Sequence, residues 1–511
     1  MKYLYSFAVQ GIQNYIFQTN ELKDIVGASE LVGYICTDCF EEFYDEYGKD
    51  GLIIGAAGNI KYEFENEDKC RKAVREFPKK VMQKAPGVIV SQAVVKYDSD
   101  DIFKEAIDEL ERRLKTQRNK QSKSLSLGLI GITRSRTTGL PAVHIEKDDY
   151  IDESIKAKRN FKEKKELGLC SKSFYGKKNN ESLNIENIAI NIDKMTGKND
   201  WIAVIHADGN GLGKVVQNVG KREDDFRTFS QNLDKATTYA ANDAYNAVKD
   251  MFKGKTPIRP IVLGGDDMTV IIRGDLAIPY VTEFLKKFEE YTHDLLGCLI
   301  KKYDVFNDGA DKLTACAGVA FIKSSYPFYY GYNLAEDLCG IAKKDAKRYA
   351  GEDCLAPSCL MFHKVQDSFV ESYGNIAKRE LITSSRISFR VGPYYISESN
   401  IPEGRITIDQ LKEYSDNLND REGNSIKSGI RQWITLMFNN KPMAEQKVRR
   451  MKSLYNHDYT KTQLIEKLTE TLKSKEEDTN INGLCMAYDV LAYNTIMTQK
   501  TKEDEEDGNK I

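Results

Sequence analysis

Apolar and polar positions follow a repeating order along the first 350 residues. A β-prone run at 2–10 precedes a long helical stretch at 11–47, two short apolar runs at 51–56 and 60–65, an amphipathic helix at 67–84 and another β-prone run at 87–96. That order is β-α-β-β-α-β. It returns as a strand at 201–207, a helix at 224–252, a hairpin at 259–264 and 268–273, a helix at 277–302, a strand at 313–322 and a further helix at 331–350. Residues 101–120 read as an amphipathic helix with Phe103, Ile107, Leu110 and Leu114 on one face. From 121 to 199 the pattern breaks into Lys-, Ser- and Asn-rich sequence with a Thr137-Thr138-Gly139-Leu140-Pro141 turn, as an insertion or connecting module does. Beyond 366 the period is mainly helical, at 410–418, 430–438 and 462–473. The expectation is an α+β chain with two ferredoxin-like (βαββαβ) domains, at 1–120 and 200–365, the module at 121–199, and a helical C-terminal domain at 366–511.

Composition adds limits. At 511 residues, 41% apolar and 30% charged, the chain can form several domains with cores of their own. No apolar run reaches about 18 residues, and Met1-Lys2 leads straight into a strand, so the expected residence is cytoplasmic, with no membrane contact. Ten scattered cysteines fit reduced thiols, and neither the Cys36/Cys39 pair nor Cys170 makes a zinc framework, so no zinc is expected. A net charge of −2 argues against wholesale nucleic-acid coating. The basic runs at 115–123, 156–165 and 447–452 read as solvated faces, and the acidic stretch at 503–507 as a quiet, frayed tail.

Candidate chemistry lies in the second repeat. Gly264-Gly265-Asp266-Asp267 joins two strand-forming runs, and Asp208 ends another, followed by three glycines in the five residues from Gly209. A glycine-aspartate hairpin alone would serve as a type I′ turn, but such a turn requires no second strand ending in Asp. If the two strands are neighbours, Asp208, Asp266 and Asp267 converge, and their repulsion calls for cations: two Mg²⁺ or Mn²⁺ ions bridging a nucleoside triphosphate. Asp208 and Asp266 are expected as direct ligands. Asp267 either completes the coordination or acts through a bound water while helping to take the proton of the attacking hydroxyl. Backbone amides of Gly209, Asn210, Gly211 and Leu212 would cradle phosphates, with Gly264 and Gly265 leaving the tip open to nucleotide. The first repeat has no acid at 10–13 or 52–60 and reads as degenerate. His206 alternates with Asp208 on one strand face and reads as a packing or hydrogen-bonding residue. The aromatic group from Tyr326 to Tyr332 suits packing, with adenine stacking as its alternative.

Together, Gly11-Ile12-Gln13-Asn14-Tyr15-Ile16-Phe17, Gly27-Ala28-Ser29-Glu30-Leu31, Asp208-Gly209-Asn210-Gly211, Gly264-Gly265-Asp266-Asp267 and the Ala335-Glu336 … Ala342-Lys343 helix resemble the large polymerase-like subunit of type III CRISPR effector complexes, over about residues 1–350. The resemblance implies paired palm domains related to GGDEF nucleotide cyclases. The second palm would be a Mg-dependent nucleotidyltransferase that makes cyclic oligoadenylate from ATP as an antiviral messenger. It also raises Lys343, and more weakly Lys347 one turn on, from helix-face residues to contacts of the triphosphate. Neither His293-Asp294 nor His457-Asp458 has the companion histidines of an HD nuclease, so a form without that domain is expected. Implied partners are other effector subunits and guide or target RNA. The alternative reading is an RNA- and protein-binding scaffold subunit whose cyclase is switched by target RNA, and a third is a nucleotide sensor without turnover. Two copies of the chain could also pair as a homodimer, with the internal degenerate palm as the one-chain counterpart.

Overall fold

The computed structural model describes residues 1–44, 51–56, 58–98, 103–120, 130–146, 148–161, 166–175, 187–189, 191–196, 201–351, 353–367, 371–397, 401–402, 404–419, 421–472 and 481–497. The acidic stretch at 503–507 and the ends of two basic runs, 121–123 and 162–165, lie outside them.

The first repeat runs β1 (Lys2–Gln10), α1 (Ile12–Ile16), α2 (Leu22–Cys36), α3 (Asp38–Tyr44), β2 (Leu52–Ala56), β3 (Asn59–Phe64), α4 (Glu67–Lys84) and β4 (Ile89–Tyr97), followed by α5 (Phe103–Asn119). Its strands form an antiparallel sheet in the order β2-β3-β1-β4. The periodicity at 11–47 suggests one long helix, but the described residues, up to 44, form three. The Thr19 hydroxyl accepts from Glu21 N at 3.1 Å, a local turn that competes with helix continuation and fixes a bend before α2. In α4, Cys70, Ala73, Phe77 and Val81 are buried at helical spacing, and the Asn66 side chain caps the start by accepting from Asp68 N at 2.7 Å. Tyr5, Phe7, Ile60 and Tyr62 face α2 and α4, while Leu4, Ala8, Ala93 and Val95 face α5. On α5 the four predicted apolar residues are all buried.

The module that follows contains a hairpin, β5 (His144–Glu146) and β6 (Asp149–Ile151), and the helices α6 (Glu153–Asn160), α7 (Glu166–Tyr175) and α8 (Ile192–Met195). One of its expected solvated faces is not solvated. Lys158 is 1% exposed, donating to Tyr15 O at 2.7 Å and Gln18 Oε1 at 3.0 Å with its ammonium 4.1 Å from the Tyr15 ring centre. Burial lowers its pKa to about 8. Its neighbour Arg159 pairs with buried Asp24 at 3.0 Å. Lys158 and Arg159 thus fasten α6 to the first repeat, which charge patterning alone does not reveal.

The second repeat runs β7 (Trp201–Asn210), α9 (Leu212–Val219), α10 (Glu223–Val248), β8 (Ile258–Gly264), β9 (Asp267–Arg273), α11 (Gly274–Lys302) and β10 (Thr314–Lys323), with α12 (Phe328–Ala350) after it. Its central strand order, β10-β7-β9-β8, repeats that of the first sheet, β4-β1-β3-β2. The duplication read from the pattern is therefore present in topology. Two further strands lie outside β10: β11 (Cys359–Lys364), parallel to it, and then β13 (Tyr394–Tyr395). Successive β7 residues alternate faces. Ala203, Ile205 and Ala207 pack towards α10 and α11, while Ile202 and Val204 pack towards α12. The remaining C-terminal elements are α13 (Tyr373–Glu380), α14 (Ile408–Asp416), α15 (Arg421–Asn439), α16 (Lys441–Leu454), α17 (Tyr459–Thr469) and α18 (Ala487–Met497), with a small parallel pair, β12 (Ile387–Ser388) and β14 (Gly483–Leu484). Among the described residues, no helix is long and apolar enough to cross a membrane.

The repeats touch directly. The Ser29 hydroxyl on α2 donates to Ile261 O on β8, and Glu30 Oε1 accepts from Leu169 N on α7 at 2.9 Å. A Cβ at Gly27 would stand 2.1 Å from Lys158 O, so only glycine permits the approach of α6 to α2. The Gly27–Leu31 motif is thus a joint between the first repeat, the module and the second repeat.

Candidate active site

Gly264 pairs with Asp267 in the β8–β9 ladder, leaving Gly265-Asp266 as a two-residue loop. Gly265 has φ of 62° and Asp266 is not in the left-handed region, the pattern of a type II′ hairpin and not of an ordinary type I′ turn. The Thr237 hydroxyl on α10 donates to Gly265 O and pins the tip.

Strand β7 pairs with β9 up to Ala207–Met268, so the next step of the register sets Asp208 opposite Asp267. On its other side Asp208 pairs with Cys316 of β10, Gly209 with Ala315 and Asn210 with Thr314. A Cβ at Gly209 would lie 2.8 Å from Asp266 Cβ and 2.9 Å from its Oδ2, so the glycine makes room for the carboxylate. The three carboxylates predicted from the sequence therefore meet at one end of β7. Asn210 turns inward, its Nδ2 donating to Thr314 Oγ1 at 3.1 Å. Gly211, φ 78°, starts α9 at Leu212, which leaves the first-turn amides of that helix at the end of β7.

Helix α12 crosses β10 in close contact, because a Cβ at Gly318 would stand 1.9 Å from Ala335 O. From this helix Lys343 forms an ion pair with Asp208 and donates to Gly209 O at 2.8 Å. Lys347, one turn on, is exposed and makes none of these contacts. Gly264 and Gly265 lie at the tip. Two further residues face the site: His206, read from sequence as a packing or hydrogen-bonding residue, and Glu336, given no role there. His206 Nδ1 is 3.2 Å from Thr269 Oγ1 and 3.4 Å from Asp267 Oδ1. Exposed Glu336, seven residues before Lys343 on α12, acts on the charge of Asp267. Alternation with Asp208 on β7 signals His206, and two-turn spacing from Lys343 signals Glu336.

The electrostatics are strained. Burial, then the charge and hydrogen bond of Asp208, push Asp266 up to about 7. Burial and the Asp208 charge push Asp267 to about 7, with Lys343 opposing and Glu336 adding to the rise. The Asp267 side chain nevertheless keeps 32% of its surface open, so water tempers this strain. Its Oδ1 is buried and receives no hydrogen bond from the protein. Burial lowers the pKa of His206. Among the described residues, no group of three or more His, Cys, Asp or Glu side chains could hold a metal ion by itself. The donor set suits Mg²⁺ nonetheless, because that ion is commonly held by one or two carboxylates together with substrate phosphates, and Asp267 Oδ1 is an orphaned oxygen donor. The Lys343 ammonium is the counterion now facing Asp208.

Residues 201–353 match the family model described as Cas10/Cmr2, second palm domain. The second repeat is similar to the second palm domain of Cas10/Cmr2. No curated protein matches the chain. Similar solved structures include a Csm1-Csm4 cassette in complex with cA3 (TM-score 0.58, 12% identity, 98% of this chain and 70% of that chain). They also include the same cassette with AMPPNP (0.57, 13%, 98% and 70%) and the Csm1-Csm4 subcomplex of the type III-A CRISPR-Csm interference complex (0.57, 12%, 98% and 70%). The likeness of fold thus extends over almost the whole chain, paired palms included, and the motif resemblance to the large type III subunit holds.

The remaining cysteines and histidines of the sequence reading lie elsewhere. Cys36, Cys39 and Cys170 are buried among apolar side chains, and burial pushes the Cys36 thiol up to about 12. His293 bonds Asp311 at 3.0 Å on the surface. Of the aromatic group, Tyr332 is 1% exposed and packs inward, whereas Tyr329 and Tyr330 stand 37% exposed.

Proposed function

We propose that the second palm is a Mg²⁺- or Mn²⁺-dependent nucleotidyltransferase that joins ATP into cyclic oligoadenylate. The observation that carries this is the convergence of Asp208, Asp266 and Asp267 beside Lys343, with two of the carboxyls strained upward in pKa. A ribose hydroxyl attacks the α-phosphate, a new P–O bond forms, the α–β bond breaks and pyrophosphate leaves. Asp208 and Asp266 would hold the cations, and Asp267 would complete the set or receive the hydroxyl proton, directly or through water. Lys343 moves from Asp208 to the triphosphate as a point charge, and the first-turn amides of α9, beginning at Leu212, face the phosphates. Divalent cations bound here would neutralise the triphosphate and lower the pKa of the attacking hydroxyl. The similar structures holding cA3, AMPPNP and one ATP support the same substrate and product class.

The test is incubation with ATP or GTP and Mg²⁺ or Mn²⁺, with products resolved by mass spectrometry beside an Asp266→Ala, Asp267→Ala double variant. Cyclic or linear oligoadenylate and pyrophosphate from the wild type alone are expected. Equal products from both proteins would refute the assignment. A second reading, an effector subunit whose output is switched by RNA and partner proteins, is favoured by the Csm1-Csm4 assemblies among the similar structures. Under it the isolated chain is silent until target RNA and a partner subunit are added.

A further inference from the structure

Asp267 is supported by the first repeat. Behind its Oδ1, the His206 ring lies between that oxygen and Thr269 Oγ1, at 3.4 and 3.2 Å. The opposite side of His206 meets Tyr332 of α12 edge-on, with ring centres 5.5 Å apart at 70°. Tyr332 in turn stacks on Phe17, just past α1 of the first repeat, at 4.8 Å and 23°, and Gln13 on α1 acts on the Tyr332 hydroxyl. The line of contacts Phe17–Tyr332–His206–Asp267 joins the repeat without carboxylates to the repeat that has them.

We propose that His206 is a positioning residue for Asp267, and that Gln13 and Phe17 hold it in place through Tyr332. The proposal rests on Asp267 being a cation- and nucleotide-binding carboxylate. His206 Nδ1 hydrogen-bonds with Thr269 Oγ1 and stands 3.4 Å from Asp267 Oδ1 without bonding it, so a neutral imidazole with its proton on Nδ1 turns a polar edge to the carboxylate and limits its movement without adding a positive charge. A lysine or arginine there would compete with any cation for the same oxygen. Tyr332, 1% exposed, packs against Phe17 on one side and the imidazole on the other. The Gly11–Phe17 motif thereby acquires a physical role at a site to which it contributes no ligand.

The test uses the full chain and two readouts: Mn²⁺ affinity in the presence of AMPPNP, by electron paramagnetic resonance of free Mn²⁺, and kcat and KM for ATP. His206→Leu, of similar size but without a donor, is expected to weaken Mn²⁺ binding on the order of 10-fold and to lower kcat more than it raises KM. His206→Asn, which keeps a donor near Nδ1, should restore most of both. Phe17→Leu, remote from the carboxylates, should move both in the same direction by less, with thermal unfolding confirming that each variant is folded. A folded His206→Leu protein that binds Mn²⁺ and turns over as the wild type does would overturn the proposal. So would equal losses in the Leu and Asn variants, which mark simple packing. A wild type that binds Mn²⁺ but makes no product removes the catalytic reading and leaves the metal readout to decide this one. A wild type that binds no Mn²⁺ removes both.

Discussion

Asp267→Asn is expected to stabilise the ligand-free protein at pH 8 while ending nucleotide turnover. Burial and the Asp208 charge raise the Asp267 carboxyl from 3.8 to about 7. Between about pH 4 and 7 the folded chain therefore holds a proton that the unfolded chain has released, so stability falls as pH rises through that window. A shift of about 3 units corresponds to a ceiling of ~4 kcal/mol. The side chain keeps 32% of its surface open, and screening reduces the effect to ~1–2 kcal/mol. Asparagine has nearly the same volume and no charge, so the gain is ~2–8 °C in Tm for a domain of this size. The assay is calorimetric unfolding in EDTA at pH 5, 6.5 and 8. The variant should exceed the wild type by about a third of the full gain at pH 5 and by all of it at pH 8. Mg²⁺ with AMPPNP should then raise the wild type at pH 8 and leave the variant largely unmoved. No gain at pH 8, or an equal gain at pH 5, would refute the electrostatic account of this site.

Gly209→Ala places a methyl group 2.8 Å from Asp266 Cβ and displaces that carboxylate. Turnover should fall by about 100-fold with little change in Tm, since a misplacement near 1 Å has that effect. Lys343→Ala should reduce kcat/KM for ATP on the order of 100-fold by removing a charge aimed at the phosphates, whereas Lys347→Ala, on an exposed turn, should be near neutral in the same assay. Gly27→Ala forces a Cβ to within 2.1 Å of Lys158 O and should cost about 1–3 kcal/mol in urea unfolding, because backbone, not a pliable side chain, has to yield.

The strand and helix order was legible because alternation and helical spacing are local properties. The limits of α4 agree with its periodicity, since an Asn66 cap and a four-residue apolar stripe both lie in the sequence. The carboxylate triad was also legible, because glycine and aspartate at strand ends leave few structural roles unfilled. What escaped was non-local. The bend before α2 depends on one threonine hydroxyl, and Lys158 reads as one more solvated cation until α6 is seen packed against α1 and α2. The roles of His206 and Tyr332 likewise required knowing that α1 lies beside α12.

The two N-terminal motifs gain a common explanation from this geometry. Gly27, Ser29 and Glu30 join α2 to α6, β8 and α7, while Gln13 and Phe17 meet α12. Strand β8 leads into the hairpin bearing Asp266 and Asp267, and α12 carries Lys343. The first repeat thus touches both elements that set the distance between the carboxylates and their counter-charge, though it supplies none of those charges. Three like charges at one strand end repel one another, and a hairpin tip alone is the most pliable part of a sheet. Held at β8 on one side and through Tyr332 on the other, the tip has a fixed frame against which that repulsion can be stored until nucleotide and cation arrive. This is a physical reason for a degenerate palm to remain packed against an intact one, and it places the sensitive substitutions at the joint as well as at the carboxylates.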